Sequence, residues 1–212
     1  MRGQAGWGVV AGMALIASLT GCAPTEFDDD DWDVDPYDMS DEAISIPGRY
    51  VPPSSVSSSG DRQSVRYDNP PSWSGGRYCT GSITGGARVL GNYLRANFRG
   101  VSSYGGYSCR PNTANRSQLS VHGTGRALDV FIPLSRGAAD NTLGDPVVNY
   151  LIQNASALGV QFIVWDRSSW NPSRPAGRKT QPYTGPHPHH DHIHVELNTD
   201  GAAQRTSWFR GR

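Results

Sequence analysis

Residues 23 to about 75 offer almost no side chains from which a core can be built, and this confines any globular fold to the C-terminal two-thirds of the chain. The stretch holds the Asp28 to Asp31 run, Pro52-Pro53, the Ser54 to Ser59 cluster and Pro70-Pro71. With so little apolar surface to bury, it cannot offset the entropy of ordering itself, and it is expected to be a disordered linker. Ten acidic residues lie between Glu26 and Glu42 with no Lys or Arg among them. The formal net charge of zero therefore conceals a division. After Glu42, eighteen basic residues, all but one of them Arg, stand against nine acidic ones. The acidic run reads as a solvated, self-repelling tail, and the basic part is expected to be drawn to anionic polymers. A flexible linker of about 50 residues has a root-mean-square span near 40 Å and reaches at most roughly 170 Å.

Ahead of the linker, Gly6 to Leu19 is an apolar run preceded by Arg2. It is shorter than the ~20 residues of a comfortable membrane span and reads as a secretory signal over residues 1–21. It ends in Leu19-Thr20-Gly21-Cys22, which resembles the lipobox of bacterial lipoproteins. That resemblance implies cleavage before Cys22, lipidation of Cys22, and attachment of the chain to a membrane through the lipid. Ala23, next in line, resembles the residue found there in lipoproteins sorted to an outer membrane. The expected location is the cell envelope, facing the periplasm, where nucleic acid is excluded as a partner. Export leaves Cys79 and Cys109 as an even pair in an oxidising compartment, and they are expected to form a disulfide. Its loop of about 30 residues would be worth roughly 3–4 kcal/mol in the chain-entropy description.

The domain proper is expected over residues 77–212. Leu90, Leu94 and Phe98 recur at a spacing of four and Gly100 follows, so Ala87 to Phe98 is predicted helical. Gly105-Gly106 marks a turn, and Ala127 to Ile132 a short strand. A second helix is expected from Asp145 to Leu158, with Pro146 in its first turn and Gly159 past its end. Val160 to Trp165 and Ile193 to Leu197 read as strands, and Asp166 to Pro186, with four prolines, as a long polar loop. The pattern predicts an α+β fold. A small antiparallel sheet carries the site, helices flank it, and a disordered N-terminal tether leads into it.

Asp129 lies inside the apolar run Ala127-Leu128-Asp129-Val130-Phe131, where a carboxylate is costly unless it is paired or metal-bound. His122 precedes it by seven residues, with Gly123 and Gly125 between them to allow a tight turn. His192 and His194 are two apart, so on a strand they share a face. Imidazole nitrogen and carboxylate oxygen together suit Zn²⁺, and a three-ligand set leaves one coordination position open. Five of the six histidines fall between His187 and His194, which is also the pattern of a metal-capture tract. His189 or His190 are candidates to line the site, and His187 is expected in exposed loop. Trp165, Trp170 and Tyr183 flank this region, to pack beneath it or to stack on sugar rings.

The string Ser120-x-His122-x-x-Gly125-x-Ala127-x-Asp129, followed about 65 residues later by His192-x-His194, resembles the zinc peptidases of the lysostaphin and D-Ala-D-Ala metallopeptidase group. The similarity is greatest to D-alanyl-D-alanine carboxypeptidase-like enzymes and extensin-like C-terminal domains. Tyr107-Ser108-Cys109-Arg110 adds to it, and the resemblance covers roughly residues 78–200. It implies one zinc ion per chain, held by His122, Asp129 and His194, and hydrolysis of amide bonds in peptidoglycan stem peptides. It places the general base at Asp191, three residues before the last ligand, or at His192. Asp191 ranks slightly ahead, although strand alternation turns it away from His194. Ser120 is expected to orient a ligand or the turn. Arg110 or Arg116 is expected to hold a substrate carboxylate, since a guanidinium matches two oxygens. Two other functions share these residues: a zinc-containing module that binds cell wall or a partner without cutting, and a metal-capture lipoprotein.

Overall fold

The computed structural model describes residues 49–211. The signal segment, Cys22 and the acidic run lie outside the described residues. The architecture is α+β, built on one antiparallel sheet of six strands: β1 (Ser103–Gly105), β2 (Ala127–Phe131), β3 (Val160–Trp165), β4 (Ser168–Trp170), β5 (Thr180–Pro182) and β6 (His192–Leu197). The spatial order is β1-β2-β6-β3-β4-β5, so the last strand in sequence enters the middle of the sheet. The helices are α1 (Ser54–Asp61), α2 (Gly85–Asn97), α3 (Asn141–Gln153), α4 (Ala155–Leu158), α5 (Thr199–Ala202) and α6 (Ser207–Arg210). Among the described residues, no helix is long and apolar enough to cross a membrane.

The period-two pleat divides the sheet chemically. Leu128 and Val130 of β2, Ile163 and Trp165 of β3, and Ile193, Val195 and Leu197 of β6 join one core. Leu90 and Leu94 of α2 and Val147, Val148, Leu151 and Ile152 of α3 belong to the same core. The intervening residues of β2 and β6, Asp129, His192, His194 and Glu196, therefore fall on the opposite face. The register sets Asp129 directly across from His194 and Phe131 across from His192.

The helix α2 and the strands β2, β3 and β6 lie where the apolar patterns predict them. The second predicted helix starts earlier than expected. The Asp140 carboxylate accepts from the Leu143 N–H at 3.2 Å and caps α3, so Pro146 lies inside the helix and a separate short helix, α4, follows. The stretch Asp166 to Pro186, expected to be loop, contains β4 and β5. Asp166 and Arg167 form the two-residue turn that reverses β3 into β4, with φ of 38° and 55°. Such left-handed turns match the twist of a hairpin, though they usually carry Asn or Gly.

The expected linker is corrected from residue 49 onward, because residues 49–76 are fastened to the domain. Tyr50 and Val56 are buried in the core, and α1 packs against α3. The Gln63 side chain donates to the Gln153 carbonyl and accepts from the Ser156 N–H. The Asp68 carboxylate accepts from the Thr199 backbone N–H, and Arg126 donates to the Asp68 carbonyl. Leu119 N–H donates to the Pro71 carbonyl. Few of these contacts are apolar, which is why composition does not reveal them. Cys79 and Cys109 are joined as expected, with a Cα–Cα distance of 5.6 Å.

Burial of a Tyr and a Val contributes about 3–5 kcal/mol together. A chain starting at residue 77 is accordingly expected to lose several kcal/mol of stability relative to one starting at residue 49, measured by denaturant unfolding.

Candidate metal centre

The first ligand candidate is placed by a turn. Val121 to Thr124 forms a single 3₁₀ turn, the Ser120 hydroxyl accepts from the His122 N–H at its start, and Gly125 ends it in the left-handed region at φ 66°. Ser120 thus caps the turn that carries His122. The turn is held from outside as well: Thr80 N–H donates to the Gly123 carbonyl and Thr84 N–H to the Gly125 carbonyl. The disulfide ties the Thr80 segment to the segment following Gly106. The Gly106 carbonyl accepts from His122 Nδ1, which leaves Nε2 free to face Asp129 Oδ1 at 3.6 Å.

The third ligand candidate is fixed in the same manner by a different acceptor. His194 Nε2 donates to Glu196 Oε1 at 3.2 Å, and Nδ1 faces Asp129 Oδ1 at 3.3 Å. Glu196 is buried and is held in turn by the Gln161 side-chain amide at 3.1 Å. One donor atom from each of His122, Asp129 and His194 lies within 4.8 Å of the other two. The three residues fit a zinc ion by their chemistry and by orientation, since the far nitrogen of each imidazole is bound to an oxygen. Such outer partners fix ring orientation and raise ligand basicity.

Electrostatics describe a cluster that holds a proton where a cation would sit. Burial and the adjacent His194 charge push His122 down to about 4, against the pull of Asp129. Burial also disfavours a charged His194, but hydrogen bonds to the Asp129 and Glu196 carboxylates outweigh it and raise His194 to about 9. Asp129 lies well below the ordinary carboxylate range: burial opposes its charge, and His194, His122 and His192 overcome it.

His192 and Asp191 act as a pair. His192 lies on the same face as His194, with Nε2 3.9 Å from Asp129 Oδ1. The carboxylate of Asp191 is exposed and bonds His192 Nδ1 at 2.7 Å. Asp191 therefore reaches the cluster through His192. Of the two arginines, Arg110 is half-buried and its charge acts on His122, whereas Arg116 is exposed in the 112–118 turn.

The histidine tract divides. His187 is exposed. His189 has its ring centroid 4.7 Å from that of His192 and 6.1 Å from that of His194, and Tyr183 packs edge-on against it. Burial, with His192 and His194 nearby, lowers His189 to about 3. His190 turns away to Asp166, Nε2 to Oδ1 at 3.6 Å. Trp165 and Trp170 are core residues, and Trp165 Nε1 donates to Asp145. Sequence reasoning missed Glu196 and Gly106. The signal for Glu196 was present, since it continues the His192, His194 alternation as a carboxylate in an apolar strand. Gly106 had no signal beyond marking a turn.

Gly106 adopts φ 122°, and a Cβ there would stand 3.0 Å from the Asp129 nitrogen and 3.1 Å from His122 Nδ1. Gly106→Ala is expected to weaken zinc binding about 10–100-fold, the range for lost ligand support, while the far-ultraviolet dichroism is retained. Zinc needs the Nδ1 lone pair of His194, which carries a proton in the metal-free protein up to pH about 9. Binding near pH 7 is therefore expected to release about one proton, with apparent affinity rising about tenfold per pH unit toward pH 9. Calorimetry in buffers of different ionisation enthalpy checks this.

No curated protein and no solved structure matches the chain. Residues 79–194, more than half of the 212, match the family model described as VldE, C-terminal domain; the span runs from the first disulfide cysteine to His194, and the chain belongs to that family.

Proposed function

We propose that this chain is a zinc-dependent peptidase of the cell envelope that hydrolyses amide bonds in peptidoglycan stem peptides, as a D-Ala-D-Ala carboxypeptidase or a related endopeptidase. The observation that carries the reading is the orientation of His122 and His194. Each presents one nitrogen to Asp129 and has the other tied to an oxygen, with the His192–Asp191 pair alongside. A zinc ion held there would supply a Lewis acid that polarises a carbonyl and acidifies water. Three protein ligands leave room for a reacting group, as catalytic rather than structural zinc sites do.

His192 is the better base. Its Nδ1 is bonded to Asp191, so Nε2 is its basic nitrogen and faces the cluster. It is poised to take a proton from the attacking water and deliver it to the leaving amine. Asp191 orients the ring and stabilises the imidazolium formed during transfer. This reverses the order read from the sequence, because Asp191 meets the site only through its neighbour. Arg110 is the guanidinium suited to a substrate carboxylate, by its half-buried position and its effect on His122. The resemblance of the Ser120 to Asp129 string and of His192-x-His194 to the lysostaphin and D-Ala-D-Ala group supports the substrate class. The lipobox-like Leu19 to Cys22 and the surplus of arginine after Glu42 support a tethered protein working at an anionic cell wall.

With zinc and purified muropeptides, the protein is expected to release D-alanine or to split a cross-link. His192→Ala should lower kcat about 10²–10⁴-fold with the one tightly held zinc retained, and Asp191→Asn should lower it less. Intact muropeptides after long incubation with one zinc bound per chain would refute the enzyme reading and favour a non-cutting, wall-binding module.

A further inference from the structure

Three imidazoles, His122, His192 and His194, lie within 3.9 Å of Asp129 Oδ1, and a fourth ring stands beside His192 and His194, one more than a three-ligand site and its base employ. The fourth is His189. Its Nδ1 is 2.7 Å from the His187 carbonyl oxygen, so Nε2 is its free nitrogen. The His189 and His192 rings are 4.7 Å apart and tilted by 49°. The His122 and His194 rings, whose nitrogens belong to the three-ligand cluster, are 4.8 Å apart and tilted by 59°. The two pairs are similarly spaced ring to ring, and the second touches the same carboxylate through His192, whose Nε2 is 3.9 Å from Asp129 Oδ1.

The loop bearing His189 is held firmly in place. Asp166 N–H donates to the His189 carbonyl at 2.9 Å and Arg167 N–H to the Pro188 carbonyl at 2.8 Å, both from the β3–β4 turn. His190 pairs with the buried Asp166 carboxylate, which also accepts from Asn141 at 3.0 Å. His187 and His189 themselves have φ of 65° and 57°, a conformation that costs a non-glycine residue energy and persists only where the surroundings impose it.

We infer that His189 and His192 form a second, weaker zinc site beside the His122–Asp129–His194 site. Two imidazoles without a third protein donor hold zinc loosely, so the second site fills only when zinc is in excess. The second oxygen of Asp129 and the carboxylate of Asp191, already on His192, offset the repulsion between two neighbouring cations. Paired metal sites of about 3.5–4 Å separation depend on carboxylates in this way. Occupancy takes the Nε2 lone pair of His192, the one assigned above to proton transfer. On the reading under Proposed function, on which this consequence rests, excess zinc switches off hydrolysis.

The test is a zinc titration of the full chain followed by calorimetry and by elemental analysis after dialysis. Wild-type protein is expected to show one tightly held ion and weaker binding beyond it. His189→Ala and His189→Gln should each remove one weakly held ion and keep the tight one, while His187→Ala on the same loop should keep both. Ions attracted to the acidic run near residues 26–42 are common to all variants and cancel in the comparison. A weak isotherm identical in wild type and both His189 variants would overturn the second site, as would loss of the weak ion in His187→Ala. In muropeptide assays, inhibition by excess zinc should be relieved in both His189 variants. If no variant hydrolyses anything, the peptidase reading fails while the stoichiometry still decides whether the second site exists.

Discussion

The carboxylate of Asp129 is the constraint on which the rest of this structure depends. It lies in the middle of strand β2, where burial opposes its charge. An isolated buried charge costs several kcal/mol, so the fold must surround it with positive charge or a cation. It does so with imidazoles from two separate places: the turn at His122 and strand β6. Each imidazole is then held by its own acceptor, Gly106, Asp191 or Glu196. Removing any of these would leave a ring free to turn its wrong nitrogen toward the site.

The sheet register is equally demanding. His192, His194 and Glu196 alternate with Ile193, Val195 and Leu197 along β6, and both neighbours of that strand are antiparallel. A slip of one residue would drive two imidazoles and a carboxylate into the core and put three aliphatic side chains on the site face. The hydrophobic effect on one face thus fixes the geometry of the candidate metal centre on the other. The disulfide and the loop before α2 do the same for the turn at His122, which no strand holds.

Much of this was legible in the sequence wherever periodicity and burial report the same thing. Asp129 stood out as a charge in an apolar strand, and His192-x-His194 as a shared face. The helix α2 followed from Leu90 and Leu94. What was not legible rests on contacts between polar groups far apart in sequence. Residues 49–76 read as linker because their attachments are made by Gln63, Asp68 and backbone carbonyls to partners some 60 to 130 positions away. Strands β4 and β5, of three residues each, are too short for a period to register, and Pro182 ends the outermost of them. Which of Asp191 and His192 faces the cluster turned on a single side-chain hydrogen bond, which spacing alone does not specify.

The place where the N-terminal segment joins the domain has a mechanical consequence. Tyr50 N–H donates to the Asp166 carbonyl, and the Ser168 hydroxyl donates to the Tyr50 carbonyl. Asp166 belongs to the turn whose N–H groups hold the carbonyls of His189 and Pro188. A pull on the chain ahead of Arg49 therefore acts first on Tyr50, which is at once a core residue and bonded to the turn that supports the histidine loop. In a tethered protein, tension and the order of these imidazoles would be mechanically coupled, with the β3–β4 turn as the point of transmission.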